Sequence, residues 1–111
     1  MKVQDRKAAI AAYKERKSPA GIYAVRCVAS GQIWVGQTLD LDKIQNRIWF
    51  MLRSGSHSNR VLQDAWTNYG ADSLTFERLE QLEDEESTYV RDGLLRERML
   101  HWRSTLTGLT I

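Results

Sequence analysis

Two charged residues stand where helical spacing calls for apolar ones. Between residues 40 and 53, Leu41, Ile44, Ile48, Met51 and Leu52 recur with a helical period, and Arg47 falls three residues after Ile44 and four before Met51. Toward the end of the chain, Val90, Leu94 and His101 share a helical face, and Glu97 falls three residues after Leu94 and four before His101. Both charges are therefore expected to point inward. A lone buried charge is strongly unfavourable, so each needs a partner, a metal ion or a water-filled cleft. Two chemistries meet that need. One is a structural Arg47–Glu97 ion pair at the edge of the core. The other is a cleft in which the guanidinium meets a phosphate and the carboxylate holds a metal.

The elements that must position these residues follow from patterning and punctuation. Residues 5 to 17 read as an amphipathic helix, ended by Ser18-Pro19-Ala20-Gly21. From Gly21 to Ala29 the chain is rich in β-formers, Ser30-Gly31 makes a turn, and Ile33-Trp34-Val35 resumes extended structure, which together predict a β-hairpin. A helix capped by Asp40 or Asp42 runs to about Arg53, and a shorter one spans roughly Asn59 to Tyr69 before Gly70. Leu74 to Leu82 reads as a third strand, and the acidic run Glu83-Asp84-Glu85-Glu86 is placed to cap a last helix reaching about Thr105. The predicted order is α-β-β-α-α-β-α. It implies an α+β fold, a small three-stranded, mainly antiparallel sheet flanked by helices.

Composition narrows the function without naming it. A chain of 111 residues has room for one core, and 42% hydrophobic with 27% charged residues is the balance of a globular domain. A net charge of +2 is compatible with phosphate contacts but is far from a polybasic tail. Cys27 is the single cysteine, which excludes an intramolecular disulfide and a cysteine-rich zinc cluster, and in mid-strand it reads as a small buried hydrophobe. The start Met1-Lys2-Val3-Gln4-Asp5 has no signal-peptide core, and no apolar run approaches membrane-spanning length, so a cytoplasmic protein away from membranes is expected. Gly-rich phosphate loops, paired-histidine metal spacings and Ser-His-Asp groupings are missing from the sequence. Trp49, Trp66 and Trp102 read as packing residues.

One pair of short motifs carries a family resemblance. Gly21-Ile22-Tyr23 on the first strand is followed, eleven residues after Tyr23, by Trp34-Val35-Gly36 on the second. The pair resembles the two motifs of GIY-YIG nucleases. The arginine-bearing helix, the Gly55-Ser56-His57 turn, Asn68-Tyr69-Gly70, the third strand and Leu94-Leu95-Arg96-Glu97 follow in the family's order, from residue 21 to about 103. The resemblance implies a single GIY-YIG-like domain over 1–111, with 1–18 an extra helix and 20–106 the nuclease-like core.

It also implies a metal-dependent endonuclease that hydrolyses phosphodiesters, with DNA as the expected nucleic acid. Tyr23 then assists the attacking water, Arg47 stabilises charge on the phosphate, and Glu97 binds one divalent ion, Mg²⁺ or Mn²⁺. His57 matches a histidine of part of the family, placed to orient Tyr23 or to bond the phosphate. Trp34 departs from the family's tyrosine and offers an indole N–H where a phenol is usual. Arg47 lies about three residues further from Gly36 than in many members. Lys43, Arg53 and Arg60 flank the predicted cleft as candidate phosphate contacts. A recruiting protein is a further expected partner, because such domains often work with a separate targeting module. The competing reading is a catalytically weak or inactive nucleic-acid-binding or protein-interaction module on the same fold.

Overall fold

The computed structural model describes residues 19–111, and the expected helix at 5–17 lies outside them. Two strands open the fold, β1 (Gly21–Cys27) and β2 (Ile33–Thr38), paired antiparallel from Gly21↔Thr38 to Arg26↔Ile33. Gly31, at φ 79°, makes the turn between them, in the left-handed region where a residue without Cβ is at ease. Helices α1 (Ile44–Arg53) and α2 (Arg60–Tyr69) follow, then β3 (Leu74–Gln81) and the long α3 (Thr88–Leu106). A two-residue strand, β4 (Leu109–Thr110), ends the fold.

The sheet has four strands in the order β3-β1-β2-β4. The α+β class stands, while the expected three-stranded sheet is corrected by β4, which pairs parallel to β2. Two residues give no alternation to read. What brings β4 back to the sheet is a turn: Thr107 adopts the left-handed conformation at φ 53°, and the Gly108 amide donates to the Arg103 carbonyl.

β1 is the central strand and is apolar on both faces because helices cover both. Tyr23, Val25, Cys27 and Trp34 point to one face, where Leu41, Ile48, Leu52, Leu62 and Ala65 close over them. Ile22 and Val35 point to the other, against Leu95, Met99, Trp102 and Leu106 of α3. A register shift between Ile22 and Tyr23 changes the pairing with β3, from Ala24↔Glu77 to Tyr23↔Arg78 and then Ile22↔Glu80. Beyond it Leu79 packs with the α3 side, whereas Phe76 packs with the α1–α2 side.

The helix ends show which signals act. Asp40 Oδ1 accepts from the amides of Asp42 and Lys43 and shapes a turn, so α1 itself begins only at Ile44. Asn59 caps α2 by accepting from the Leu62 amide. At α3 the cap is Ser87, which accepts from the Val90 amide, and no acidic residue occupies the first turn. The expectation that the acidic run caps this helix is thereby corrected: the run precedes the helix as exposed chain. No helix among the described residues is long and apolar enough to cross a membrane.

Candidate active-site cleft

α1 and the first half of α3 rise on either side of the end of β2. Between them opens a cleft walled by Gln37, Thr38 and Leu39 from the strand end, Arg47 from α1, and Tyr89, Gly93 and Glu97 from α3. Arg47 and Glu97 thus come to the same place from elements 50 residues apart in sequence.

Neither charge is buried, which corrects the inward orientation expected from periodicity. For α3 the reason is a choice between two apolar stripes. Val90, Leu94 and His101 form one, but Leu95, Met99, Trp102 and Leu106 form another with larger side chains, and this second stripe meets the sheet. Arg47 borders the buried positions Ile48 and Leu52 without entering the core. Of the two alternatives for these charges, the Arg47–Glu97 ion pair is not formed: neither residue makes an ion pair or side-chain hydrogen bond with any described residue.

The charged cluster that does sit against the core was not foreseen. Arg98 Nε and Trp102 Nε1 of α3 both donate to Glu80 Oε1 of β3, at 2.8 and 2.9 Å. Burial pushes the Glu80 carboxyl upward, but these bonds and the positive charge of Arg98 outweigh it and hold the carboxyl below its ordinary range. The signal available in sequence was Arg98 standing between Leu95 and Trp102.

The motif residues are packed rather than displayed. Tyr23 is 4% exposed, stacks on Phe76 with ring centroids 5.4 Å apart, and faces Gly36 across the β1–β2 pair. A Cβ on Gly36 would lie 2.5 Å from the Tyr23 hydroxyl and would also strike Ile111, so the ring occupies the space that the glycine leaves empty. Burial lifts the Tyr23 phenol to about 12, and it stays neutral at any working pH. Trp34 is fully buried, and its Nε1 has no hydrogen-bond partner among the described residues. Cys27 is buried, as a small hydrophobe would be.

The remaining candidates spread out. His57 is half-buried beside the start of α2, where Nδ1 accepts from the Asn59 amide at 3.0 Å. Burial lowers its pKa, and the accepting nitrogen marks a neutral ring. Lys43, Arg53 and Arg60 are exposed and lie outside the lining of the cleft, as do Tyr23, Trp34 and His57. The cleft adds residues that were not singled out, chiefly Tyr89 and Gly93, which precede Glu97 by eight and four positions on the same helix.

No group of three or more metal-ligating side chains occurs among the described residues. Glu97 fits a more modest role, since it lines the cleft and its carboxylate has no partner among the described residues. A hard divalent cation held by one carboxylate takes its other ligands from water and substrate oxygens.

No protein-family model and no curated protein sequence matches this chain. Solved structures do. The catalytic domain of homing endonuclease I-TevI superposes with a TM-score of 0.69 at 26% identity, covering 83% of this chain and 97% of that one. A mutant form of the catalytic domain of intron endonuclease I-TevI superposes with a TM-score of 0.67, again at 26% identity, over 80% of this chain and 84% of that one.

Proposed function

We propose that this chain, a GIY-YIG nuclease by fold, is a metal-dependent endonuclease that hydrolyses DNA phosphodiesters at the cleft between α1 and α3. The observation that carries the reading is the convergence of Arg47 and Glu97 on one cleft, each side chain without a partner among the described residues. Left apart, they are poised for a ligand of mixed demand, a phosphate for the arginine and a cation for the carboxylate.

Arg47 binds the scissile phosphate and neutralises charge that grows on its oxygens during attack. Glu97 holds the divalent ion, Mg²⁺ or Mn²⁺, which when bound supplies positive charge to the leaving oxygen. Tyr23 does not line the cleft, but its ring lies over Gly36, and Gln37, the next residue of β2, belongs to the cleft wall. With a phenol neutral to about 12, Tyr23 acts as a hydrogen-bond donor that orients water, or as a relay that takes one proton as it releases another. A phenolate base has no place in this scheme. We assign residues 20–106 to the nuclease core and residues 1–18 to an added segment.

The test is cleavage of plasmid and oligonucleotide DNA with Mg²⁺, Mn²⁺ or chelator, comparing the wild type with Glu97→Ala and Arg47→Ala. Metal-dependent nicking lost in both variants supports the assignment. Binding without cleavage under every metal overturns it and leaves a nucleic-acid-binding module, with the buried Trp34 as the first place to look for the lost activity.

A further inference from the structure

Tyr89, the second residue of α3, is 89% exposed, more than any other large apolar side chain among the described residues. Its side chain makes no hydrogen bond and no ring contact with any of them. Gly93 and Glu97 follow at successive four-residue steps, so the three residues share one face of the helix, and all three line the cleft.

Gly93 has no packing reason to be glycine. Inside a helix, glycine is less favourable than alanine, and a Cβ at this position would meet no described residue within 4 Å. What the missing side chain does is leave bare helix surface between the Tyr89 ring and the Glu97 carboxylate. Leu39, exposed at the end of β2, stands in the same lining, as do Val90 and Leu94. The result is a slot with an aromatic end, aliphatic neighbours, and in the same lining Arg47 and Arg96, which make no ion pair with any described residue.

We propose that the Tyr89–Gly93 slot is a nucleobase subsite, which receives one unstacked base next to the phosphate held at Arg47. The inference rests on the nuclease reading of the same cleft and adds a substrate class to it: single-stranded, flapped or locally distorted DNA in preference to intact duplex. An aromatic ring recruits a base by stacking on its face, and the arginines satisfy the attached phosphate, so the slot matches both halves of a nucleotide. Bases within a duplex have both faces covered by their neighbours and cannot stack on Tyr89. Tyr89 and Glu97 are separated by about 12 Å along the helix axis, from eight residues at ~1.5 Å each. That span suits a base and phosphate pulled out of the stack.

The experiment uses chelator, so that binding is read whether or not the protein cuts. A single-stranded oligonucleotide carrying 2-aminopurine, and the same sequence as a blunt duplex, are titrated with the wild type, Tyr89→Phe, Tyr89→Ala and Gly93→Ala. The wild type and Tyr89→Phe are expected to prefer the single strand and to quench the fluorescent base. Tyr89→Ala should lose the quenching and about five- to a hundredfold in single-strand affinity, the range that base–aromatic stacking covers. Gly93→Ala should melt at a higher temperature yet bind the single strand more weakly, a combination that a purely structural role does not produce. Equal affinity for duplex and single strand, or unchanged binding by Tyr89→Ala, overturns the subsite even if cleavage is intact. So does a concentration-dependent dimer that Tyr89→Ala dissociates, because a second copy would then cover this face.

Discussion

The strand pair that bears the sequence motifs and the cleft that bears the free charges meet at Gly36 and Gln37, yet they are made in opposite ways. In the strand pair Ile22, Tyr23, Trp34, Val35 and Gly36 are all buried, and the Tyr23 ring fills the space that Gly36 leaves. In the cleft Arg47, Tyr89 and Glu97 are exposed, and none of their side chains has a hydrogen-bond, ion-pair or ring partner among the described residues. The difference separates two kinds of information. The motif residues are there to be packed, so they report the fold. The cleft residues contribute little to the fold, so a change among them can abolish chemistry while the protein looks intact.

That division is strongest if it survives substitution. Arg47→Ala and Glu97→Ala should each lower the cleavage rate by ~10²–10³-fold, while stability stays within about 0.5 kcal/mol of the wild type, as for other surface changes without partners. Parallel cleavage assays and denaturant melts decide it. A loss of stability that tracks the loss of activity would make both residues structural and erase the contrast.

The reverse pattern is expected of the motif glycines. Gly21→Ala places a Cβ against the Glu80 carbonyl and 2.5 Å from Leu41 Cδ1, and Gly36→Ala drives into the Tyr23 ring. Overpacking of this kind costs about 1–3 kcal/mol, with Gly21 the worse because a backbone oxygen cannot step aside. Urea denaturation reads this directly, and a Gly36→Ala protein as stable as the wild type would show the ring to be loosely held.

Smaller effects come from the ion pairs. The Glu80 carboxyl is more acidic in the folded chain than in the unfolded one, so its contribution is full above the unfolded value near 4.3 and fades as pH falls through the folded value. Melting of the wild type against Glu80→Gln from pH 6 to 3, a window of about three units around that reference, should show roughly 1 kcal/mol of advantage disappearing in acid. Arg26 and Glu77 pair at 2.9 Å across β1 and β3 but are well exposed. Glu77→Ala should therefore change stability by no more than about 0.5 kcal/mol.

Most of the fold could be read from the chain because its elements are locally specified. The hairpin is set by β-formers around a Ser-Gly turn, and α2 by Asn59 and Gly70 at its ends. The candidate site was legible only in part. Arg47 and Glu97 were found because a charge interrupts an apolar series, but the inference about where they point failed, since α3 has two apolar stripes and only the packed structure selects between them. Tyr89 gave no signal because one aromatic in a helix reads as core, and its exposure depends on where α3 crosses the sheet. β4 is non-local altogether, since its pairing is made with β2 some 75 residues earlier.

The four tryptophans also give the molecule a set of internal reporters. The Trp34 indole N–H is sealed and unbonded to any described residue, that of Trp102 is tied to Glu80, and Trp49 and Trp66 meet edge to face at 5.8 Å over the α1–α2 side. Deuterium reaches the Trp34 indole when the α1–α2 side lifts from the sheet, whereas it reaches Trp102 when α3 lifts from the opposite face. Exchange at the two positions, followed in one NMR sample, therefore separates motion of the two sides of the domain, each of which carries one wall of the cleft.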